Sequence, residues 1–108
     1  MTMNKDECLH LCEQEVDAAR PYARAGRLAS ALEYCLMSNG RVFFVNGDEG
    51  NYLYDTGTRL YPVTVDGGSF TKLMSAWVGL PSTSKLLAGA VEILRSRIPD
   101  WKRFPVTA

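Results

Sequence analysis

Three cysteines and the single histidine are the residues of this chain with the strongest metal-binding chemistry. Cys8 and Cys12 are four residues apart with His10 between them, and Cys35 follows later. Helical spacing places Cys8 and Cys12 on one face with Val16, whereas His10 points away from that face. A closed zinc site needs four ligands, and no second Cys/His pair supplies them. We therefore predict three free thiols that pack as small apolar side chains, with no metal ion.

Carboxylates form a second group that could do chemistry. Asp48 and Glu49 stand in a turn bounded by glycines, and Asp55 and Asp66 are near them in the sequence. A divalent cation could use such oxygen ligands. We favour the simpler prediction of solvated turn acids that accept hydrogen bonds from the local backbone.

Motifs of catalysis and cofactor binding are missing from the sequence. The pair Gly67-Gly68 is not a dinucleotide fingerprint, and no Walker-type lysine follows a glycine loop. Nucleophiles are present, but no pattern places them beside a base. We predict a protein that is not an enzyme and that has no cofactor.

Aromatic residues are concentrated in the middle of the chain, and they are Phe43, Phe44, Tyr52, Tyr54 and Tyr61. Such a set can stack on nucleic-acid bases. It is more often the packed face of a sheet, and only Arg41 and Arg59 add positive charge nearby. We favour the packed face.

Charge is distributed unevenly along the 108 residues, although the formal net charge is zero. Residues 1–68 contain six Lys or Arg and ten Asp or Glu, whereas residues 69–108 contain six and two. A bipolar chain of this kind favours a binding module that contacts a charged partner at one end.

Two helices are predicted at the N-terminal end. Asn4 or Asp6 is the expected cap of the first, and Pro21 either ends it or opens the second, which covers residues 22–37. Asn39 and Gly40 tolerate positive φ and are the expected stop. The two helices form either a hairpin or one bent helix.

Three short strands follow, at residues 41–46, 51–55 and 59–65, with glycine-containing turns between them. This pattern predicts an antiparallel meander with Tyr52 and Tyr54 on one face and Leu53 on the other. Pro62 cannot donate to a ladder, so the third strand is expected at an edge.

A second helix pair is predicted after the strands. Ser69 is the expected cap of the third helix and Gly79 its stop. The fourth helix is expected to be capped by Ser82, Thr83 or Ser84 and to end at Pro99. The basic, aromatic tail 99–108 either contacts a nucleic acid or a partner, or folds back through Trp101 and Phe104 onto the core; we favour the second, with the tail as a candidate flexible segment.

The predicted fold is therefore one small α+β domain over residues 1–108, with a three-stranded antiparallel sheet between two helix pairs in the order ααβββαα. The sequence has no apolar run long enough for a membrane span, and its N-terminus lacks the apolar region of a signal peptide. We predict a cytoplasmic protein without membrane contact.

The basic C-terminal half contains the candidate nucleic-acid contacts. Its two helices and their glycine turn have the pattern of a helix-turn-helix, in which the second helix meets DNA. Serines at a helix N-terminus can also bind phosphate. The predicted contacts are Lys72, Ser82, Ser84, Lys85, Arg95, Arg97, Lys102 and Arg103.

About half of the chain resembles a known family. Residues 41–63 read RVFFVNGDEGNYLYDTGTRLYPV and residues 70–98 read FTKLMSAWVGLPSTSKLLAGAVEILRSRI. They resemble the segment that precedes the helicase ATPase in phage and plasmid primase-helicases of the poxvirus-like type. There a Tyr-x-Tyr strand, a glycine turn and another strand lead into a helix pair. The resemblance implies an accessory domain from a mobile element, with no catalytic residue to carry over.

Two functions from different classes follow from these patterns. The first is a non-enzymatic accessory module of a phage or plasmid replication protein, which contacts DNA or a neighbouring domain through its basic half. The alternative is a small phage- or bacteria-encoded protein-interaction factor, an inhibitor or immunity-type protein, with the acidic half as the contact. A third possibility is that edge strands pair between copies of the chain, which would make the protein an oligomer.

Overall fold

The computed structural model describes residues 4–45, 52–63, 68–97 and 103–106, with 44–45 and 103–106 described by their backbone. The predicted α+β class and the order ααβββαα are confirmed, and one further strand follows the last helix. The elements are α1 (Lys5–Ala18), a short 3-10 helix (Pro21–Ala23), α2 (Arg24–Asn39), β1 (Arg41–Val45), β2 (Tyr52–Asp55), β3 (Leu60–Pro62), α3 (Ser69–Val78), α4 (Lys85–Arg97) and β4 (Arg103–Val106).

Helix α1 begins at the first of its two predicted caps. The side-chain oxygen of Asn4 accepts a hydrogen bond of 2.8 Å from the backbone N–H of Glu7, which satisfies one of the free donors of the first turn. Pro21 occupies the first position of the 3-10 helix that leads into α2, where its missing N–H costs no hydrogen bond.

Helices α1 and α2 form an antiparallel hairpin, which decides between the two predicted arrangements. Near one end of the hairpin, Glu15 and Arg27 form an ion pair of 3.3 Å. At the other end, the amide nitrogen of Asn39 lies 3.9 Å from the sulfur of Cys8. Residues early in α1 therefore meet residues late in α2.

The end of α2 differs from the prediction in its backbone. Gly40 has φ −176° and ψ −165°, an extended conformation that any residue adopts. The expectation that a positive φ stops this helix is wrong. Glycine is required here for space, because a Cβ would overlap the carbonyl oxygen of Asp55 and lie 2.8 Å from the Tyr54 hydroxyl.

The predicted meander is present, with strand order β3-β2-β1-β4 across the sheet. β1 pairs antiparallel with β2, placing Val42 opposite Tyr54, and β2 pairs antiparallel with β3, placing Tyr54 opposite Tyr61. β3 is an edge strand, as Pro62 predicts. The predicted strand ends at positions 46, 51, 64 and 65 lie outside the described residues.

Strand β4 is the element that the sequence did not predict. It pairs parallel to β1, with Phe43 opposite Phe104, and so covers the edge of β1 that the meander leaves open. Only four residues long and containing Pro105, it lacks the alternation that marks a strand in sequence. The rest of the predicted tail, and the predicted stop of α4 at Pro99, lie outside the described residues.

The third and fourth helices match their predictions with one difference. Gly68 precedes α3 without a side-chain cap, and Ser69 is its first helical residue, so the predicted Ser69 cap is wrong. Gly79 ends α3 with φ 71°, as expected for a left-handed stop. Ser84 caps α4, because its hydroxyl accepts a hydrogen bond of 3.3 Å from the N–H of Leu87.

The core lies between the helices and one face of the sheet. Tyr54 is completely buried, Tyr52 is 8% exposed, and Leu53 faces the other side half-buried. The Tyr54 ring meets the rings of Phe70 and Trp77 edge-on, each at 6.2 Å between centroids. Within the described part of the chain, no helix is long and apolar enough to cross a bilayer.

We expect Gly40→Ala to destabilise the protein by about 2–3 kcal/mol, because the added methyl group overlaps backbone and a buried ring. The matched variant is Gly26→Ala in α2, where a Cβ meets nothing within 4 Å. It should stabilise the protein by about 0.5–1 kcal/mol through helix propensity. Urea unfolding measures both. A Gly40→Ala protein as stable as the native one would contradict the steric account.

Candidate functional site

An apolar cleft of about 230 Å³ lies where α1 and α2 meet the turn between α3 and α4. Its walls are the side chains of Cys12, Val16, Leu28, Val78, Leu80 and Leu86. Cys12, Leu28 and Val78 are buried, whereas Leu80 and Leu86 are half-buried. The cleft is larger than the roughly 150 Å³ engineered cavity that holds benzene. It is therefore large enough for one aliphatic or aromatic side chain.

The turn that forms one wall is held by its own hydrogen bonds. The N–H of Gly79 donates to the carbonyl oxygen of Ser75 at 3.0 Å, and the hydroxyl of Ser75 donates to the carbonyl oxygen of Leu80. A Cβ on Gly79 would lie 3.0 Å from the side chain of Leu9, so α1 packs directly against the turn. The wall that contains Leu80 is therefore fixed relative to α1.

Two carboxylates from α1 stand at this cleft. Glu13 and Asp17 are one helical turn apart, both are exposed, and both line the cleft. Among the described residues, neither of them has an ion-pair partner, whereas Glu15 between them is paired with Arg27. Two adjacent uncompensated carboxylates attract cations and disfavour anions. The arrangement suits an apolar group flanked by positive charge.

The three thiols are free and buried, as predicted. Burial and a hydrogen bond to Cys35 raise the pKa of the Cys8 thiol from 9.0 to about 12. A hydrogen bond to Cys12, together with burial, also raises the pKa of Cys35. Both thiols are therefore neutral at physiological pH and poor nucleophiles. Within the described residues, no group of three or more His, Cys, Asp or Glu could hold a metal ion.

Three tyrosines of the predicted aromatic set pack in or against the core, and one acid of the predicted acidic group bonds to its turn. Tyr52 and Tyr54 are buried in the packed face that the sequence favoured, so they cannot stack on bases. Tyr61 is half-buried with the guanidinium of Arg59 over its ring at 5.0 Å. The carboxylate of Asp55 accepts a hydrogen bond of 2.8 Å from the N–H of Gly57, as expected of a turn acid. Residues 48, 49 and 66 lie outside the described residues.

The predicted nucleic-acid contacts that the structure describes differ in their surroundings. Lys72, Lys85, Arg95 and Ser82 are exposed. The hydroxyl of Ser84 is used as the cap of α4.

Arg97 is already engaged within the protein. Its guanidinium forms an ion pair of 3.2 Å with Glu33 and donates a hydrogen bond of 3.1 Å to the hydroxyl of Ser30. It therefore anchors α4 to α2. Lys102 lies outside the described residues, and Arg103 is described by its backbone in β4.

The exposed side of α4 is of mixed charge. Helical spacing places Lys85, Ala88, Glu92 and Arg95 along this side, and Glu92 is exposed between the two cations. The opposite stripe, which contains Leu87 and Leu94, is buried. A carboxylate in the middle of the face weakens its attraction for phosphates.

Comparison of the chain with protein-family models, curated proteins and solved structures found no match. The resemblance to primase-helicases therefore stays a prediction.

The cleft itself was not predicted, because its walls come from three separate parts of the sequence. The available signals were weak. One was the spacing of Glu13 and Asp17 beside Val16 on the first helix. The other was Leu80, an apolar residue in a turn between a glycine and a proline.

We expect the free energy of unfolding to fall as the pH rises from about 9 to 12. In the unfolded chain the thiol of Cys8 loses its proton near its ordinary pKa of 9.0, whereas in the folded protein it keeps the proton up to about pH 12. The folded state therefore binds more protons in this interval, and each such thiol removes up to about 1.4 kcal/mol per pH unit. Urea titrations at successive pH values measure the slope.

The Cys8→Ala variant is the control for this slope. It should show a shallower loss of stability over the same interval, whatever its stability at pH 7. Identical slopes for the native protein and the variant would show that the buried thiol is not the cause.

Proposed function

We propose that this chain is a non-enzymatic, cytoplasmic protein-interaction module. Its apolar cleft, flanked by the carboxylates of Glu13 and Asp17, binds a basic amphipathic segment of a partner protein. The single observation that carries the proposal is the apolar cleft of about 230 Å³ with Glu13 and Asp17 beside it. An inhibitor or immunity-type protein works in this way, by a complementary surface without catalytic chemistry.

The chemistry of the partner follows from the cleft. Its walls bury an apolar side chain, which supplies affinity through removal of apolar surface from water. The two carboxylates pair with Lys or Arg residues that flank this side chain, and such pairs at an interface rim mainly raise the association rate and the selectivity. An amphipathic helix with Leu and Lys on adjacent positions presents both features.

The charges around α1 and α4 make DNA a weaker candidate partner than a basic protein segment. Glu13 and Asp17 repel phosphates from the cleft that they flank. On the basic half, Arg97 is paired with Glu33, and Glu92 stands on the exposed side of α4. The geometry therefore supports a basic protein segment at α1 better than a nucleic acid at α4.

The test uses two fluorescein-labelled helical peptides, one built from Leu and Lys and one from Leu and Glu. We expect the Leu/Lys peptide to bind, the Leu/Glu peptide not to bind, and the Glu13→Lys/Asp17→Lys variant to lose at least about tenfold in affinity. Fluorescence anisotropy at moderate salt measures all three.

A second double charge reversal distinguishes peptide binding at the cleft from a general effect of the protein's net charge. Asp6→Lys/Glu92→Lys changes the net charge by the same amount at exposed positions that do not line the cleft. This variant should keep most of the native affinity. Equal losses in the two double variants would mean that the peptide senses only overall charge, and the proposal would fail.

DNA contact by an accessory module of a phage or plasmid replication protein is the second candidate. Its support is the exposure of Lys72, Lys85 and Arg95 on α3 and α4. On this hypothesis, labelled single- or double-stranded DNA binds at low salt and dissociates as salt rises, because phosphate contacts release counterions. The reversal Lys85→Glu/Arg95→Glu should abolish binding.

The matched control for this DNA measurement is Arg20→Glu/Arg24→Glu, which reverses two exposed cations in the acidic half. It should leave DNA binding nearly unchanged. Absence of binding at low salt, or equal losses in both variants, would contradict a DNA-contacting surface on α4.

A further inference from the structure

A second cleft, of about 450 Å³, lies where the start of α1, the end of α2, the β2–β3 turn, β3 and α3 meet. Its lining includes Lys5, Asn39, Thr56, Tyr61, Leu73 and Trp77. None of these residues lines the first cleft, the one flanked by Glu13 and Asp17. The two clefts therefore differ in both position and chemistry.

Two aromatic side chains give this cleft its apolar surfaces. Trp77 is half-buried and is held by Tyr54, whose ring meets it edge-on at 85°. Tyr61 is half-buried under the guanidinium of Arg59. Both rings are thus positioned by neighbours, and rings that are fixed in advance bind a flat ligand at a lower entropic cost. Leu73 adds aliphatic surface from the same face of α3.

The polar groups of the cleft combine one positive charge with one hydrogen-bond acceptor. Lys5 is exposed and has no ion-pair partner among the described residues. The amide nitrogen of Asn39 donates to the carbonyl oxygen of Cys35 at 2.9 Å, which leaves its amide oxygen as an acceptor. The hydroxyl of Thr56 is already bonded within the turn, because it accepts a hydrogen bond of 3.2 Å from the N–H of Arg59 and donates one of 3.3 Å to the carbonyl oxygen of Arg59. An anionic group is therefore matched by Lys5, and a ring N–H by the oxygen of Asn39.

The buried thiol of Cys8 also contributes to the lining. Burial and the hydrogen bond to Cys35 raise its pKa to about 12, so it is uncharged at physiological pH. The thiol therefore adds no negative charge that would oppose an anion near Lys5.

We propose that this cleft binds a planar aromatic ring that carries an anionic group, with the ring against Trp77 and Tyr61 and the anion at Lys5. Its volume is about three times that of the engineered cavity of roughly 150 Å³ that binds benzene, which leaves space for a fused ring and a substituent. Two sources share this chemistry, a mononucleotide and an aromatic carboxylic acid. The site is independent of the peptide-binding function.

The experiment records the indole N–H signals in ¹H–¹⁵N NMR spectra during titration with AMP and with indole-3-acetate. The Trp101→Phe variant assigns the signal of Trp77. We expect a saturable shift of that signal with at least one acid, and a clearly weaker effect from the neutral counterparts adenosine and indole. AMP alone identifies a nucleotide site, and indole-3-acetate alone identifies an aromatic acid site.

The variants Lys5→Glu and Arg24→Glu form a matched pair, because each reverses an exposed cation at the first position of a helix, where Glu favours folding. Of the two, only Lys5 lines the cleft. We expect Lys5→Glu to weaken binding of the acid about tenfold and Arg24→Glu to leave it unchanged. No shift of Trp77 at millimolar ligand, equal binding of the neutral compounds, or equal effects of the two variants would overturn the proposal.

Discussion

The contact between the end of α2 and the second strand is the constraint on which the rest of the fold depends. The hydroxyl of Tyr54 donates a hydrogen bond of 2.7 Å to the carbonyl oxygen of Leu36. Leu36 lies in the last turn of α2, where carbonyl groups lack helical partners. The same turn leads through Gly40 into β1, close to the Tyr54 ring. One side chain thus joins the helical layer to the sheet.

Helix α2 carries this link to the other helices. Six of its sixteen residues are buried. It packs against α1 on one side and against α4 on another. The approach of α4 is close: a Cβ on Gly89 would lie 3.5 Å from the Cβ of Ala25. Tyr54 extends the same core towards α3 through its edge-on contacts with Phe70 and Trp77. Both clefts are therefore bounded by elements that pack, directly or through Tyr54, on α2.

Much of the fold could be predicted from the sequence because its signals are local. The apolar stripes, the Asn4 cap and the Gly79 stop each act within one element. The steric role of Gly40 and the parallel strand β4 could not be predicted, since both depend on residues distant in the sequence, Asp55 in one case and β1 in the other. The clefts were missed for the same reason. Their chemistry comes from side chains that only tertiary packing brings together, such as Glu13 with Leu80 and Lys5 with Trp77.

The parallel pairing of β1 with β4 has a consequence for the newly made chain. About sixty residues separate the two strands in the sequence. At a synthesis rate of roughly 5–20 residues per second, β1 leaves the ribosome about 3–12 s before its partner. Throughout that interval β2 can pair with one side of β1, while the other side exposes free N–H and C=O groups that invite contact with other chains. The edge of β1 is therefore open to pairing with other chains until β4 has been made.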